Sequence, residues 1–137
     1  MMATIRRFEE IEAWQTARRL TRLFYELSDE GAFARDYGLR DQMRRAAVSI
    51  MSNIAEGFES RTTSLFIEYL GRAKASCGEL RAQLYVALDA GYLERQQFDQ
   101  LFQEAKICSR QIAAFIRYLQ SLPKDRRLRE TQINYEP

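Results

Sequence analysis

Between Leu39 and Gly57 the chain carries two interleaved stripes at helical spacing, and this segment constrains the fold more than any other. One stripe is apolar and comprises Leu39, Met43, Ala46, Ala47, Ile50 and Ile54. The other is polar and comprises Gln42, Arg45, Ser49, Ser52 or Asn53, and Glu56. The pattern predicts an amphipathic helix over residues 39–56. We expect Gly57 to end it, because glycine adopts the left-handed conformation of many helix ends without steric cost.

Three other segments show the same apolar periodicity. They predict a first helix from Glu9 or Glu10 to Gly31, a third over residues 64–90 and a fourth over residues 94–122. The predicted connections are residues 32–38, residues 57–63 with a capping Thr62 or Thr63, and the Gly91-Tyr92 turn. Gly78 interrupts the third helix, so we expect a neighbouring backbone to pack closely there.

Composition favours helices over strands. Only 6 glycines and 2 prolines occur in 137 residues, too few for a barrel or sandwich of many short strands. The sequence therefore predicts one all-α domain, an antiparallel up-down-up-down four-helix bundle over residues 1–122. Residues 123–137 are polar and predict a flexible C-terminal tail. At the other end of the chain, residues 1–8 predict a short N-terminal arm.

Charge and cysteine content limit the function classes. The formal charge is only +2, far from the excess typical of proteins that coat nucleic acid. Cys77 and Cys108 lie on apolar helical faces and are predicted to be buried free thiols, which favours a cytoplasmic protein. No apolar run approaches the roughly 20 residues of a membrane span, and no signal peptide is recognisable.

The polar stripe supports two interpretations. In the first, Arg45, Asn53 and Glu56 are exposed and bind a ligand or partner. Alternatively they are half buried, with Arg45 opposite Glu79 of the third helix, and Asn53 and Glu56 hydrogen-bonded to the Gly57 loop. Ser49 and Ser76 are then small residues that let the two helices approach.

Catalytic constellations are not found in the sequence. The chain has no histidine, which rules out the di-iron bundle pattern and a serine triad. Glu56 and Glu79 lack an accompanying nucleophile or phosphate-binding loop. We therefore expect a protein that is not an enzyme and uses no cofactor and no metal.

Two basic sets are candidates for phosphate contact. One lies near the second helix and comprises Arg40, Arg44, Arg45 and Arg61. The other lies in the tail and comprises Lys124, Arg126, Arg127 and Arg129. Nearby acidic residues make a solvated, charge-balanced surface the alternative interpretation. Three tyrosines are candidates for an oligomer interface: Tyr85, Tyr92 and Tyr118.

The chain resembles the four-helix-bundle proteins encoded in 23S rRNA intervening sequences, which also occur as free-standing bacterial genes. The same fold occurs in the accessory protein of diversity-generating retroelements. The likeness covers roughly residues 8–122 and is most specific in the Asn53-Ile54-Ala55-Glu56-Gly57 run with Arg45 and Ser49 upstream. The weaker matches are Trp14, Gln15, Ala17, Leu39, Gln42, Ala46, Ile50, Phe66, Tyr69, Leu70, Ala73, Ser76, Glu79, Leu80, Gly91 and Tyr92.

The resemblance implies a homo-oligomer, typically a ring-like pentamer, without established enzymatic activity. It points to a scaffold or adaptor that acts by binding a macromolecule, either protein or nucleic acid. The retroelement branch binds nucleic acid and is strongly basic, whereas this chain is nearly charge-balanced.

Overall fold

A computed structural model describes residues 3–123 and 132–137. Within them the chain is all-α, as predicted. Five α-helices follow a 3-10 turn at Phe8–Glu10, and a two-residue strand lies near each end. The helices are α1 (Glu12–Ser28), α2 (Gly31–Arg35), α3 (Tyr37–Phe58), α4 (Thr63–Asp89) and α5 (Arg95–Gln120), and the strands are β1 (Ala3–Thr4) and β2 (Asn134–Tyr135).

The four long helices share one apolar core. Helix α1 packs against α3 and α5, and α4 packs against the same two helices. Each contributes the apolar stripe seen in the sequence, and burying such a stripe is what stabilises helices of this length in water. The largest fully buried side chains include Phe24, Ile50, Phe66, Leu80 and Phe115.

Helix ends follow local chemistry where capping groups are available. The Thr62 hydroxyl accepts a hydrogen bond from the Leu65 amide at 3.1 Å and caps α4, as predicted. Gly91 has a φ of 77° in the turn between α4 and α5, a conformation that favours glycine. The predicted connection over residues 32–38 is wrong in part, because Gly31–Arg35 forms the short helix α2.

Gly57 does not end its helix, contrary to the prediction. Helix α3 continues through it to Phe58, and among the described residues only Gly31 and Gly91 have a positive φ. A Cβ at position 57 would lie 2.7 Å from Phe66 Cδ1 and 2.9 Å from Tyr69 Cβ. The glycine is therefore required by the close approach of α4 rather than by backbone conformation.

Gly78 differs from Gly57, because no neighbouring helix comes close to it within the described residues. A Cβ there would meet nothing nearer than a guanidinium nitrogen of Arg81 at 3.8 Å. The predicted close packing of a neighbouring backbone is wrong for the described part of the chain.

The C-terminal residues 132–137 contact the helical core, so the expectation of a free tail does not hold for them. Strand β2 pairs antiparallel with β1, and Ile133 is buried. The amide of Asn134 donates to the Tyr118 hydroxyl at 2.7 Å, and the Tyr135 ring centroid lies 4.7 Å from that of Phe115. The basic tail residues fall outside the described residues: Lys124, Arg126, Arg127 and Arg129.

Candidate interaction surface on the third helix

The polar stripe of α3, apart from Gln42, lines an open groove of about 760 Å³. Most of its lining comes from successive turns of α3, and α1 contributes Tyr25. The lining residues are Tyr25, Asp41, Arg44, Arg45, Val48, Ser49, Ser52, Asn53 and Glu56. Helical spacing places them together, because residues three and four apart share one face. The groove is thus the outward side of the segment that carries the family-like motif.

Arg45 and Glu56 are exposed, and neither makes a hydrogen bond or ion pair with any described residue. Glu79 on α4 is also exposed and unpaired within the same part of the chain. The predicted half-buried pair between Arg45 and Glu79 is therefore absent. Their side chains stand in solvent on neighbouring helices, where an external partner can reach both charges.

Asn53, Ser49 and Ser76 form a polar link between α3 and α4. The Asn53 amide nitrogen donates to the Ser49 carbonyl at 2.8 Å and to the Ser49 hydroxyl at 2.9 Å. The Ser76 hydroxyl donates to the Ser49 hydroxyl at 3.1 Å. The two serines do lie where the helices approach, and they also bond across the seam. Asn53 bonds back along its own helix, so the predicted contact with the Gly57 loop is wrong.

Two of the predicted phosphate-binding arginines are engaged within the chain. Arg44 donates to the Ser28 hydroxyl at 3.0 Å and to the Tyr25 carbonyl at 3.3 Å, and its guanidinium lies 4.4 Å from the Tyr25 ring centroid. These bonds satisfy groups at the C-terminal end of α1, where backbone carbonyls lack helical partners.

Arg40 likewise donates a hydrogen bond to a backbone carbonyl at the C-terminal end of α2. It donates to the Ala34 carbonyl at 2.7 Å, and its Nε lies 2.9 Å from a carboxylate oxygen of Asp41. Arg61 is different, because it is exposed and has no partner among the described residues.

The three tyrosines predicted for an interface have different environments. Tyr85 is 51% exposed, and its ring contacts Phe98 of α5 in a tilted arrangement and Phe102 edge-to-face. Tyr92 donates to the Asp36 carboxylate at 2.9 Å, and Tyr118 accepts the Asn134 amide. Only Tyr85 keeps a large exposed face.

Hydrogen bonding moves the pKa of Tyr92 and the pKa of Cys108 away from the usual value of each group. The bond to the Asp36 carboxylate, followed by desolvation and the negative charge of that carboxylate, raises the pKa of Tyr92. Cys77 and Cys108 are both buried and free, as predicted. The hydrogen bond to Cys77, together with burial, raises the pKa of the Cys108 thiol, so this thiol is protonated and unreactive at neutral pH.

Tyr25 and Val48 line the groove but were not among the site residues predicted from the sequence. Val48 is 39% exposed between Arg45 and Ser52, although it is apolar. Its helical spacing with those two residues was a usable signal. Tyr25 could not be found in this way, because its place in the groove depends on how α1 packs against α3.

The described residues contain no group of three or more His, Cys, Asp or Glu side chains that could hold a metal ion. Among those same residues, none of the helices combines the length and apolar character that a membrane crossing requires.

These features define a small all-helical protein with an open polar groove along one helix. The chain belongs to the 23S rRNA-intervening sequence protein family, which it matches over residues 9–114. The family expected from the Arg45 to Gly57 motif is thereby confirmed.

A solved structure shares this fold. It is the crystal structure of a protein with unknown function from the S23 ribosomal protein family of Bacteroides thetaiotaomicron. The two chains align with a TM-score of 0.71 and 17% identity, over 77% of this chain and 95% of that chain. None of the curated proteins compared with this chain matches it.

Proposed function

We propose that this protein is a non-catalytic, homo-oligomeric helical scaffold or adaptor that acts by binding a macromolecule. The observation that supports this function is the outward, unpaired position of Arg45 and Glu56 in the α3 groove. Charged side chains of both signs on a rigid helix suit recognition of another macromolecular surface. Among the described residues no groove hydroxyl is hydrogen-bonded to a carboxylate, and the chain has no histidine, so the groove is poorly suited to acid–base chemistry.

The architecture proposed for this scaffold is an antiparallel up-down-up-down bundle of the four long helices. Helices α3 and α4 pack together and are joined by residues 59–62 alone, and so short a connection between packed helices favours an antiparallel pair. The turn at residues 90–94 supports the same relation for α4 and α5.

The proposed assembly is a ring-like oligomer, with five copies the number that the family resemblance favours. Exposed apolar side chains support self-association: Tyr37, Val48, Tyr85 and Val86 are 63%, 39%, 51% and 53% exposed. A cytoplasmic location is proposed on the basis of the two free, buried cysteines.

Multi-angle light scattering of the full chain at micromolar concentration tests the scaffold. A mass several times the 16.1 kDa of the chain supports it. A monomer at every concentration up to about a hundred micromolar contradicts it, since an obligate scaffold interface remains occupied well below that concentration.

Nucleic-acid binding is the second candidate, favoured by arginines that have no carboxylate partner. Arg18, Arg22 and Arg61 are exposed, and none makes an ion pair with a described residue. Arg18 lies over the Trp14 ring at 5.9 Å. Such side chains can contact phosphates, and binding of this kind weakens steeply as salt rises.

Titration of labelled structured RNA and duplex DNA at about 50 mM and 200 mM salt tests this candidate. Salt-sensitive binding supports it, and no binding at the lower salt contradicts it. The tail is better tested by replacing Arg126, Arg127 and Arg129 with glutamine than by truncation, because truncation also removes the packed Ile133 and Tyr135.

A further inference from the structure

The outer face of α4 carries a row of small residues, of which three are exposed and the fourth, Gly78, is partly exposed beside the Arg81 side chain. Gly71, Ala75, Gly78 and Ala82 follow one another at helical spacing. Gly71 and Gly78 would each accept a Cβ without a close contact. A helix-interior glycine is about 1 kcal/mol less favourable than alanine, and no contact within the described chain offsets this.

Two charges flank this face and the neighbouring face of α3. Arg45 and Glu79 are exposed, opposite in sign and unpaired within the described residues. Val48 follows Arg45 on α3 and is 39% exposed. Helix α3 thus presents the cation of Arg45 beside the apolar Val48, and α4 presents the anion of Glu79 beside Gly78.

The hydrogen bond between Ser49 and Ser76 fixes the relative heights of the two helices. Arg45 lies four residues before Ser49, and residue 80, next to Glu79, lies four residues after Ser76. In an antiparallel pair those positions are at the same height, because each residue rises by about 1.5 Å along either helix. By the same count Val48 is level with residue 77, next to Gly78.

We propose that α3 of one copy packs on α4 of a second copy, with Arg45 paired to the partner's Glu79 and Val48 against the partner's Gly78. This inference rests on the homo-oligomeric function proposed above. Copies in a ring whose axis follows the helices are related by rotation alone, so residues keep their height from one copy to the next. A contact between two different faces is the kind that closes a ring.

Charge reversal tests this contact in the full-length protein. Arg45→Glu or Glu79→Arg places like charges opposite each other, and each is expected to weaken association at least about tenfold by light scattering or sedimentation. The double variant restores the charge pair and the association. Arg22→Glu and Glu26→Arg reverse exposed charges on α1 and serve as matched controls with unchanged mass.

Mixing the two single variants separates a contact between copies from one within a chain. A contact between copies predicts that Arg45→Glu chains and Glu79→Arg chains assemble together, because one supplies the new anion and the other the new cation. A contact within each chain predicts no rescue on mixing, and this result would overturn the proposal.

Gly78→Leu provides a test that is independent of charge. The space around Gly78 within the chain predicts an unchanged helical circular dichroism spectrum together with loss of the oligomer. A Gly78→Leu oligomer of wild-type mass and affinity overturns the contact. If the wild-type chain is itself a monomer, the proposed scaffold function fails. If it is an oligomer whose association is unchanged by Arg45→Glu, Glu79→Arg and Gly78→Leu, only the proposed contact surface fails.

Discussion

Gly57 and Gly78 both lie within long helices, the first in the last turn of α3 and the second in the middle of α4, and their surroundings differ. At Gly57 the neighbouring helix comes so close that a Cβ would lie 2.7 Å from Phe66 Cδ1. At Gly78 the nearest atom is the end of the Arg81 side chain at 3.8 Å. The family-like motif thus ends in a glycine that packing within the chain requires, whereas the α4 glycine leaves space toward the outside.

The same contrast separates Arg44 from Arg45, although the two residues are adjacent. Arg44 is largely buried by its contacts with the end of α1, and Arg45 stands in solvent. One side of the motif helix therefore stabilises the chain, and the other is available for a partner. Three predictions test the contrast between residues held within the chain and residues left free, and a fourth tests the hydrogen bond between Tyr92 and Asp36. They are given in order of decreasing effect.

Gly57→Ala is expected to lower the free energy of unfolding by about 2–3 kcal/mol, because the new methyl group overlaps Phe66 and the Cβ of Tyr69. Urea denaturation followed by circular dichroism measures the change. Gly71→Ala is the matched control, since nothing lies within 4 Å of its new Cβ. Equal midpoints for Gly57→Ala and wild type would remove the packing explanation.

Arg44→Ala is expected to lower the free energy of unfolding by about 1–2 kcal/mol, because it leaves the Ser28 hydroxyl and the Tyr25 carbonyl without their charged donor. Arg45→Ala should change the stability of the isolated chain by less than about 0.5 kcal/mol. The comparison uses urea unfolding at low protein concentration. A larger loss for Arg45→Ala than for Arg44→Ala contradicts the assigned roles.

Gly78→Ala should stabilise the isolated chain by about 0.5–1 kcal/mol, through helix propensity and a less flexible unfolded state. The same substitution should weaken self-association. Thermal unfolding of dilute protein and light scattering of concentrated protein measure the two effects. Destabilisation of the dilute protein would mean that Gly78 serves packing within the chain.

Tyr92→Phe should alter the response of stability to alkaline pH. The folded-state pKa of Tyr92 lies above its unfolded value of about 10, so the folded chain holds this proton more tightly. That contribution is complete below about pH 10 and is lost as the pH rises beyond it. Urea unfolding between about pH 8 and pH 11 should therefore show a shallower decline for Tyr92→Phe. An identical decline in the two proteins would exclude this contribution.

Much of the helical layout could be predicted from the sequence. Apolar periodicity placed α3 and α4 within about two residues of their observed bounds, and Thr62 was recognisable as a cap. Helix α2 was missed, because five residues are too few to show a period. The docking of Ile133 and Tyr135 was missed as well, since it depends on pairing with β1, more than a hundred residues away in sequence, and on packing against α5.

The candidate site was predicted less completely than the fold. The residues of the α3 stripe were identified, and all of them except Gln42 share one groove. The sequence could not show which of them faces a neighbouring helix and which faces solvent. Arg44 and Arg45 illustrate this limit, because 100° of helical rotation separates a residue bonded within the chain from one that is free.

By itself the sequence determined the helical class, the positions of the long helices and the family to which the chain belongs. These properties depend on local periodicity and on residue types, which are read directly along the chain. Only the tertiary structure decided why Gly57 is a glycine, which arginines are engaged and where the C-terminal residues lie. Those answers depend on distances between helices, and packing sets such distances through side chains far apart in the sequence.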